Sequence, residues 1–490
     1  MKLDIKNKII KLTMTLLFLI LPILDCLRIT SLKDIQLLGV SFVEFFNLLL
    51  IFIAFLMTFL KIKKKKFKSL IIYTIIFISY LIFHCINILK FNTSLLPLSN
   101  INVIRECFYL FRVYYIPILV LFILYHNKDI FKKEYLFKIL KVVIIMISSS
   151  IILLNIFKLS YASYDANNVF LKYNIFDFFN SGVDYKLLST RGLFHSANEI
   201  SAILLMFLPI TIFTLWKNPT KFNYFLYFIQ VISMIIIGTR VSSIGALLVC
   251  ITSIIINLIM HFTRRSKVKE KFIYFTLIIC LYFFVSPIGL YYLNYQKPNF
   301  AILNQECYTE LNNLDNELDV ISNIINNSYE YRISDEIVKL YPVQLDVSFW
   351  KEIALRDKSI NNNNRILKTD VLKRVTDRNN NKYDKLLGIG YTTNFMDLER
   401  DYIYQFYLFG ILGLIVLIGP YFLILITSII KILLNLKKYY SQYTALLGMS
   451  VILCLMVAYL TGHVFGQVSP MLYLSFILYL FIIDLKEDFK

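Results

Sequence analysis

Gly238–Thr239–Arg240 followed by VSSIGALLVCITSIIINLIMH (Val241–His261) sets a turn and a cation against an uncharged apolar run. The run is long enough to cross a bilayer, which takes about 20 such residues in a helix. An arginine at the centre of a spanning helix costs roughly 2.5–3.5 kcal/mol, so a cation kept at the boundary needs water or an anionic partner. Arg191, shortly before the apolar run Ile200–Trp216, repeats the arrangement. An anion site at one membrane face is therefore the first functional expectation.

The same kind of run recurs along nearly all 490 residues, 58% of which are hydrophobic. Hydropathy predicts about twelve spans: Ile9–Leu24, Leu37–Leu60, Leu70–Leu89, Val103–Tyr125, Leu140–Phe157, Ile200–Trp216, Tyr224–Ile237, Val241–His261, Phe272–Leu293, Tyr402–Leu434, Ala445–Leu460 and Met471–Leu485. The expected fold is all-α, a polytopic integral membrane protein with one large extracytoplasmic loop. By sequence it divides into 1–293 with nine spans, the loop 294–398, and 399–490 with three more.

Orientation follows from lysine and arginine, which short loops retain on the cytoplasmic side. With the N-terminus inside, Lys61–Lys68, Asn127–Lys138, Trp216–Asn223, Arg264–Lys271, Lys437–Tyr440 and the tail Lys486–Lys490 all fall inside, and each is basic. Both termini are thus expected to be cytoplasmic in a bacterial plasma or inner membrane. The net charge of +19 reads as topogenic rather than as a nucleic-acid footprint. The run KIKKKKFK (Lys61–Lys68), between two spans, reads as an anchor to anionic lipid. Cys26, Cys85, Cys107, Cys250, Cys280, Cys307 and Cys454 form no CxxC pair, so the spacing supports neither a disulfide framework nor a metal site. Asp25 and Leu27–Arg28 follow the first run where a cleavage site would need small residues, so that run is read as a retained span.

Two outer segments are long. Lys158–Ser196 closes on TRGLFHSANE (Thr190–Glu199), and Asn294–Leu398 is long enough to carry structure of its own. Within it, Leu311, Leu314, Leu318, Ile321, Ile324 and Ile325 recur at helical spacing and predict an amphipathic helix over Leu311–Tyr341. Ser359–Asn364 and Asn379–Lys382 read as solvated turns. The two halves contain no matching repeat and no paired broken helices, which argues against a secondary transporter.

Three distant stretches place ionisable groups at one expected depth: Arg191, His195, Asn198 and Glu199 before the sixth span, Arg240 before the eighth, and Glu399, Arg400 and Asp401 before the tenth. Arginine suits phosphate because its planar fork donates two parallel hydrogen bonds and stays charged. Each residue also has a plain structural reading. The arginines are compatible with snorkelling, His195 and Asn198 with helix capping, and Glu399 and Asp401 with first-turn acids favoured by the helix dipole. Convergence of the three stretches favours a site. Arg105 and Arg112 lie seven apart on nearly one face of the fourth span, where they could line a lipid-phosphate entry, but Glu106 beside Arg105 favours an intramembrane ion pair.

From Arg191 to Gly413 the chain resembles the O-antigen ligase and O-antigen polymerase superfamily of bacterial cell-surface polysaccharide enzymes. Thr190–Glu199 is similar to its stretch of an arginine, a Gly-x-Phe and an asparagine opening a span. Gly238–Ser243 resembles its Gly/Ser-x-Arg turn, Leu386–Tyr391 (LLGIGY) its Leu-x-Gly-x-Gly element, and Gly410–Gly413 (GILG) the start of the following span. Where ligases and many polymerases of the superfamily carry a histidine, commonly followed by asparagine, this chain has Glu399; other members carry an acid there.

The resemblance implies a GT-C-like membrane glycosyltransferase that needs no metal or other cofactor. Its donor would be a polyprenyl-pyrophosphate-linked oligosaccharide and its acceptor a glycan, with a flippase and a chain-length regulator as expected companions. Arg191 and Arg240 would hold the pyrophosphate, aided by His195, Asn198, Glu199 and Arg400, while Glu399 with Asp401 would take the acceptor proton. The product would be a capsule, exopolysaccharide or O-antigen polymer. A ligase for a terminal acceptor, a peptidoglycan-type polymerase, a lipid-linked oligosaccharide flippase and a non-catalytic membrane anchor or assembly factor are the competing readings.

Overall fold

The computed structural model describes residues 3–29, 36–37, 40–164, 168–177, 188–263, 266–286, 289, 321, 335–357, 364–393, 398, 400–460, 462–483 and 485. It confirms an all-α polytopic membrane protein. Among the described residues, nine helices are long and apolar enough to cross a membrane, and Lys221–Ile237 and Val468–Ile483 are shorter apolar helices. Extended pairing among them is confined to the two-residue ladder of Gln36–Leu37 with Val40–Ser41 and two isolated bridges.

The helices are α1 (Leu3–Leu27), α2 (Phe42–Phe59), α3 (Lys68–Ile88), α4 (Val103–Leu110), α5 (Ile116–His126), α6 (Lys133–Ile156), α7 (Ala197–Lys217), α8 (Lys221–Ile237), α9 (Arg240–Phe262) and α10 (Glu270–Val285). After them come the short α11 (Asp335–Leu340), α12 (Val347–Leu355), α13 (Asn364–Asn379) and α14 (Asp384–Leu387), then α15 (Asp401–Gly413), α16 (Gly419–Leu434), α17 (Gln442–Leu460) and α18 (Val468–Ile483). Each predicted apolar run contains helix, with two departures of shape. The second begins at Phe42 rather than Leu37, because the Ser41 hydroxyl accepts the Glu44 amide and caps it there. The fourth and tenth are interrupted by wide π turns at Phe111–Tyr115 and Leu414–Ile418. Most of Leu311–Tyr341 and of Ser359–Asn364 lies outside the described residues.

The chain forms two compact units, each discontinuous in sequence: Met1–Ile72 with Val113–Tyr295 and Tyr421–Lys490, and Tyr73–Arg112 with Gln296–Pro420. In the first, α7 is the central helix. Nearly every residue along its apolar length is buried, matching an apolar sequence on every side. Polar side chains bridge helices where lipid offers no partner. Thr211 Oγ1 donates to Gln230 Oε1 (2.6 Å), Gln230 Nε2 donates to the Leu204 carbonyl (2.9 Å), and the Tyr473 hydroxyl donates to the Phe18 carbonyl (2.8 Å). The lysine run is tied down at Lys61, whose Nζ reaches Asn127 Oδ1 (3.1 Å) and Asp129 Oδ2 (2.9 Å), while Phe67 is buried.

In the second unit, α12 and α13 pack around Asp346. The Tyr341 hydroxyl donates to Asp346 Oδ2 (2.8 Å), the Phe349 amide to Oδ1 (3.1 Å), Arg374 to both oxygens (2.7 and 3.1 Å) and Arg378 Nη1 to Oδ2 (3.1 Å). Burial pushes the Asp346 carboxyl up, but the Arg374, Tyr341, Ser348 and Phe349 hydrogen bonds outweigh it and hold the group well below the usual carboxylate range. Burial raises the Tyr341 phenol to about 12, so it remains a donor. Because the folded state depresses this carboxyl, its stabilisation is complete above the unfolded value of about 3.9 and fades as pH falls below it. Trp350, fully buried with its indole N–H on the Tyr341 carbonyl (3.1 Å), reports the region. In a Trp216→Phe background its emission is expected to shift red below about pH 4, and Asp346→Asn to shift it already at neutral pH. An acid profile unchanged by Asp346→Asn would refute this.

Candidate functional site

In the first unit the sequence 188–196 is folded against a neighbouring loop. The Tyr161 amide donates to the Gly192 carbonyl (2.8 Å) and the Arg191 amide to the Tyr161 carbonyl (3.0 Å), with Gly192 at φ +65° closing the turn. The paired loops dock on the end of α8. The Thr190 amide donates to the Ile236 carbonyl (3.1 Å), the Ser163 hydroxyl to the Ile237 carbonyl (2.7 Å) and the Tyr164 hydroxyl to the Gly238 carbonyl (3.1 Å).

Gly238, at φ +72°, ends α8 in the left-handed conformation, and Thr239 caps α9 by accepting the Ser242 amide (3.2 Å). Ser201 of α7 donates to the Ala197 carbonyl (2.6 Å), so at 2.8 Å its oxygen receives the Thr239 hydroxyl. The Arg191 turn, the first turns of α7 and the Gly238–Arg240 turn are therefore one hydrogen-bonded framework.

Arg191 is buried. Its Nη1 donates to the His195 carbonyl (3.0 Å), its Nη2 to Asn168 Oδ1 (2.5 Å), and its guanidinium carbon lies 6.0 Å from the Tyr161 ring centroid. This excludes simple snorkelling. Arg240 is exposed at the first position of α9, where a cation opposes the helix dipole and gains from an anion nearby. His195 is exposed and precedes the cap of α7, which is Ser196 accepting the Glu199 amide (3.4 Å); capping by the His195 side chain is thus corrected. Asn198 is half-buried in that first turn, and Glu199 is buried.

Two residues that the sequence did not assign to this site complete the framework. Asp25 and Arg28 sit at the end of α1. Asp25 Oδ2 accepts the His195 amide (3.1 Å), and Arg28 Nη1 lies 3.4 Å from Asp25 Oδ1 and 3.6 Å from Glu199 Oε2. Their signal was available as an acid and an arginine directly after an apolar run. Three arginines and two buried acids thus belong to this part of the first unit.

In the second unit, Asp401 is buried at the first position of α15, preceded by the half-exposed Arg400. Glu399 lies outside the described residues. The LLGIGYTT element (386–393) crosses α15 backbone to backbone: the Ile389 amide donates to the Tyr407 carbonyl (3.0 Å) and the Gly390 amide to the Leu408 carbonyl (2.9 Å). Gly388, Gly390 and Gly410 all have positive φ (+83°, +89°, +69°), and Gly410 breaks the helix where the crossing occurs.

A buried pair holds this element from the other side. Glu106 Oε1 accepts the Tyr391 amide (2.9 Å) and Oε2 the Thr392 amide (2.8 Å), while His84 Nε2 lies 3.0 Å from Oε1 and His84 Nδ1 2.6 Å from the Leu387 carbonyl. A carbonyl only accepts, so Nδ1 carries a proton, and a hydrogen bond between Nε2 and Oε1 needs one further proton between them. The expected Arg105–Glu106 pair is corrected, since Arg105 is exposed and Glu106 binds His84.

The turn at Asn379–Lys382 is likewise more than solvated. Asn379 Nδ2 donates to Asp384 Oδ2 (2.6 Å), Asn381 Nδ2 to Asn87 Oδ1 (3.0 Å), and Asn87 Nδ2 to both Asp384 Oδ1 (3.0 Å) and the Gly388 carbonyl (2.9 Å). Among the described residues no group of three or more His, Cys, Asp or Glu is arranged to hold a metal ion.

These features define a multi-pass membrane protein with an arginine-rich turn framework in one unit and a glycine-crossed element in the other. The chain belongs to the family described as O-antigen ligase like membrane protein, which matches residues 6–488. Membership makes it a membrane enzyme of the glycosyltransferase type. No curated protein and no solved structure gives a match.

Proposed function

We propose that the protein polymerises polyprenyl-pyrophosphate-linked oligosaccharide repeat units into a cell-surface polysaccharide at the outer face of the bacterial plasma or inner membrane. Both termini would be cytoplasmic and residues 294–398 extracytoplasmic. The observation that carries this reading is the docking of the Arg191 turn onto the residues just before Arg240, which gives two arginines one rigid framework. Arg191 and Arg240 bind the pyrophosphate and stabilise the charge growing on it as the glycosidic bond breaks. Glu399, together with Asp401 two positions on in sequence, takes the proton of the attacking sugar hydroxyl. Attack opposite the leaving group inverts the anomeric centre. Glutamate at position 399, where ligases and many polymerases of the superfamily carry a histidine, counts against a strict ligase.

The test is the length of surface polysaccharide, resolved on gels, in a deletion strain complemented with wild type or variants at equal membrane abundance. Arg240→Ala removes an exposed side chain and is expected to cut polymer formation about 10²–10³-fold, the cost of losing one well-aimed charge-stabilising donor. Glu399→Gln should lose about 10²–10⁴-fold as a general base. Arg191→Lys keeps charge but loses the fork that also braces His195 and Asn168, so both activity and stability should fall. Single repeat units at the surface support polymerisation, and full-length unattached polymer would make the protein a ligase. Units trapped on the cytoplasmic leaflet would make it a flippase, and normal polymer in every variant would overturn the site.

A further inference from the structure

We infer that Cys85 and Cys107 form a disulfide that joins the end of α3 to the start of α4 beside the His84–Glu106 pair. Their Sγ atoms stand 3.5 Å apart, in contact without a bond, and a disulfide closes that separation to about 2.0 Å. The two cysteines are the sequence neighbours of the two paired residues: His84–Cys85 on α3 and Glu106–Cys107 on α4. A bond here would fix the two helix ends whose side chains hold the Leu387 carbonyl and the Tyr391 and Thr392 amides.

The inference rests on the orientation proposed above, in which both helix ends face the extracytoplasmic side, where disulfides form and persist. Cys107 is partly exposed and Cys85 buried, which sets the order of steps. The oxidant is a disulfide carried by an extracytoplasmic oxidoreductase. The Cys107 thiolate attacks one carrier sulfur, forming a mixed disulfide and releasing the other as a thiol. The Cys85 thiolate then attacks Cys107 Sγ, closing the Sγ–Sγ bond and releasing the second carrier thiol. Two protons and two electrons pass from the cysteines to the carrier, which leaves as a dithiol.

The test uses the full chain in its own membrane. Cells are quenched in acid, the denatured protein is alkylated with a light maleimide, then reduced and alkylated with a heavy one, and each cysteine is assigned by peptide mass. Cys85 and Cys107 are expected to take the heavy label together, while the buried Cys250 and Cys454 take the light label. Cys85→Ser should move Cys107 wholly to the light label. Light label on both in the wild type overturns the disulfide. A Lys90→Cys probe in a Cys85→Ser/Cys107→Ser background, treated with a membrane-impermeant maleimide on intact cells, separates the causes. Labelling of the probe leaves the orientation standing and condemns the disulfide alone, and protection of the probe overturns both.

Discussion

Gly388→Ala and Gly410→Ala should each abolish accumulation of folded protein, while Gly448→Ala should be tolerated or mildly stabilising. A Cβ on Gly388 would lie 2.1 Å from the Leu408 carbonyl oxygen, and one on Gly410 would lie 2.3 Å from the Leu386 carbonyl carbon and oxygen. Both neighbours are backbone, fixed by the Gly390–Leu408 and Ile389–Tyr407 hydrogen bonds, so neither can swing aside as a side chain would. Positive φ at both positions adds strain of about 1–3 kcal/mol for a residue bearing a Cβ, and overpacking typically adds a further ~1–3 kcal/mol. Gly448 lies within α17, and its new Cβ would only touch the Phe481 ring at 3.4 Å. Replacing a helical glycine by alanine there gains about 0.4–1 kcal/mol. Size-exclusion profiles and thermal midpoints of the detergent-extracted variants check this. A Gly388→Ala protein that extracts and melts like wild type would show that the crossing is not obligatory.

The helices were legible because bilayer thickness imposes a length and a composition that one sequence displays directly, as in Val241–His261, which is helical over all its length. The break at Gly410 was not, because nothing local demands it. Gly-Ile-Leu-Gly reads as the apolar interior of a span, and only the crossing segment at 386–390 forces the chain out of helix. The Arg105–Glu106 pair misled for a geometric reason. Adjacent helical residues point about 100° apart, so they seldom face one another, and the true partner, His84, sits on another helix. At the arginine framework the sequence supplied Arg191, Arg240 and Glu199, whose neighbours form recognisable turns. It missed Asp25 and Arg28 because their contribution depends on α1 ending beside the start of α7, a tertiary fact. The asparagines at 379–381 looked like solvent-facing turn residues, and the amides they spend on Asp384 and Asn87 become visible only once α3 and α13 are in place.

Glu106→Ala is expected to destabilise the second unit by about 3–5 kcal/mol, and Glu106→Gln by about 1–3 kcal/mol, an ordering that tests what the carboxylate does. With alanine, the Tyr391 amide, the Thr392 amide and His84 lose their acceptor together, in surroundings where Glu106 and His84 are wholly buried. Water cannot easily replace three donors' partner in such a place. Glutamine recovers part of the arrangement. Its amide N–H₂ can donate to the bare Nε2 of a neutral His84, whose Nδ1 proton stays on the Leu387 carbonyl. One carboxylate oxygen has nevertheless become a donor, and since Oε1 and Oε2 each receive a backbone amide, one of those amides must now face an N–H. Histidine cannot relieve this, because the conflict lies between glutamine and the backbone of 391–392. Adding His84→Ala to Glu106→Ala should therefore cost less than the sum of the two single changes, since each single change strands what the other removes. Thermal and denaturant midpoints of the four proteins decide it, with surface polysaccharide length measured in parallel at equal abundance. Equal midpoints for Glu106→Ala and wild type would mean that the pair does not hold the glycine-crossed element, and strict additivity would mean that His84 and Glu106 act separately.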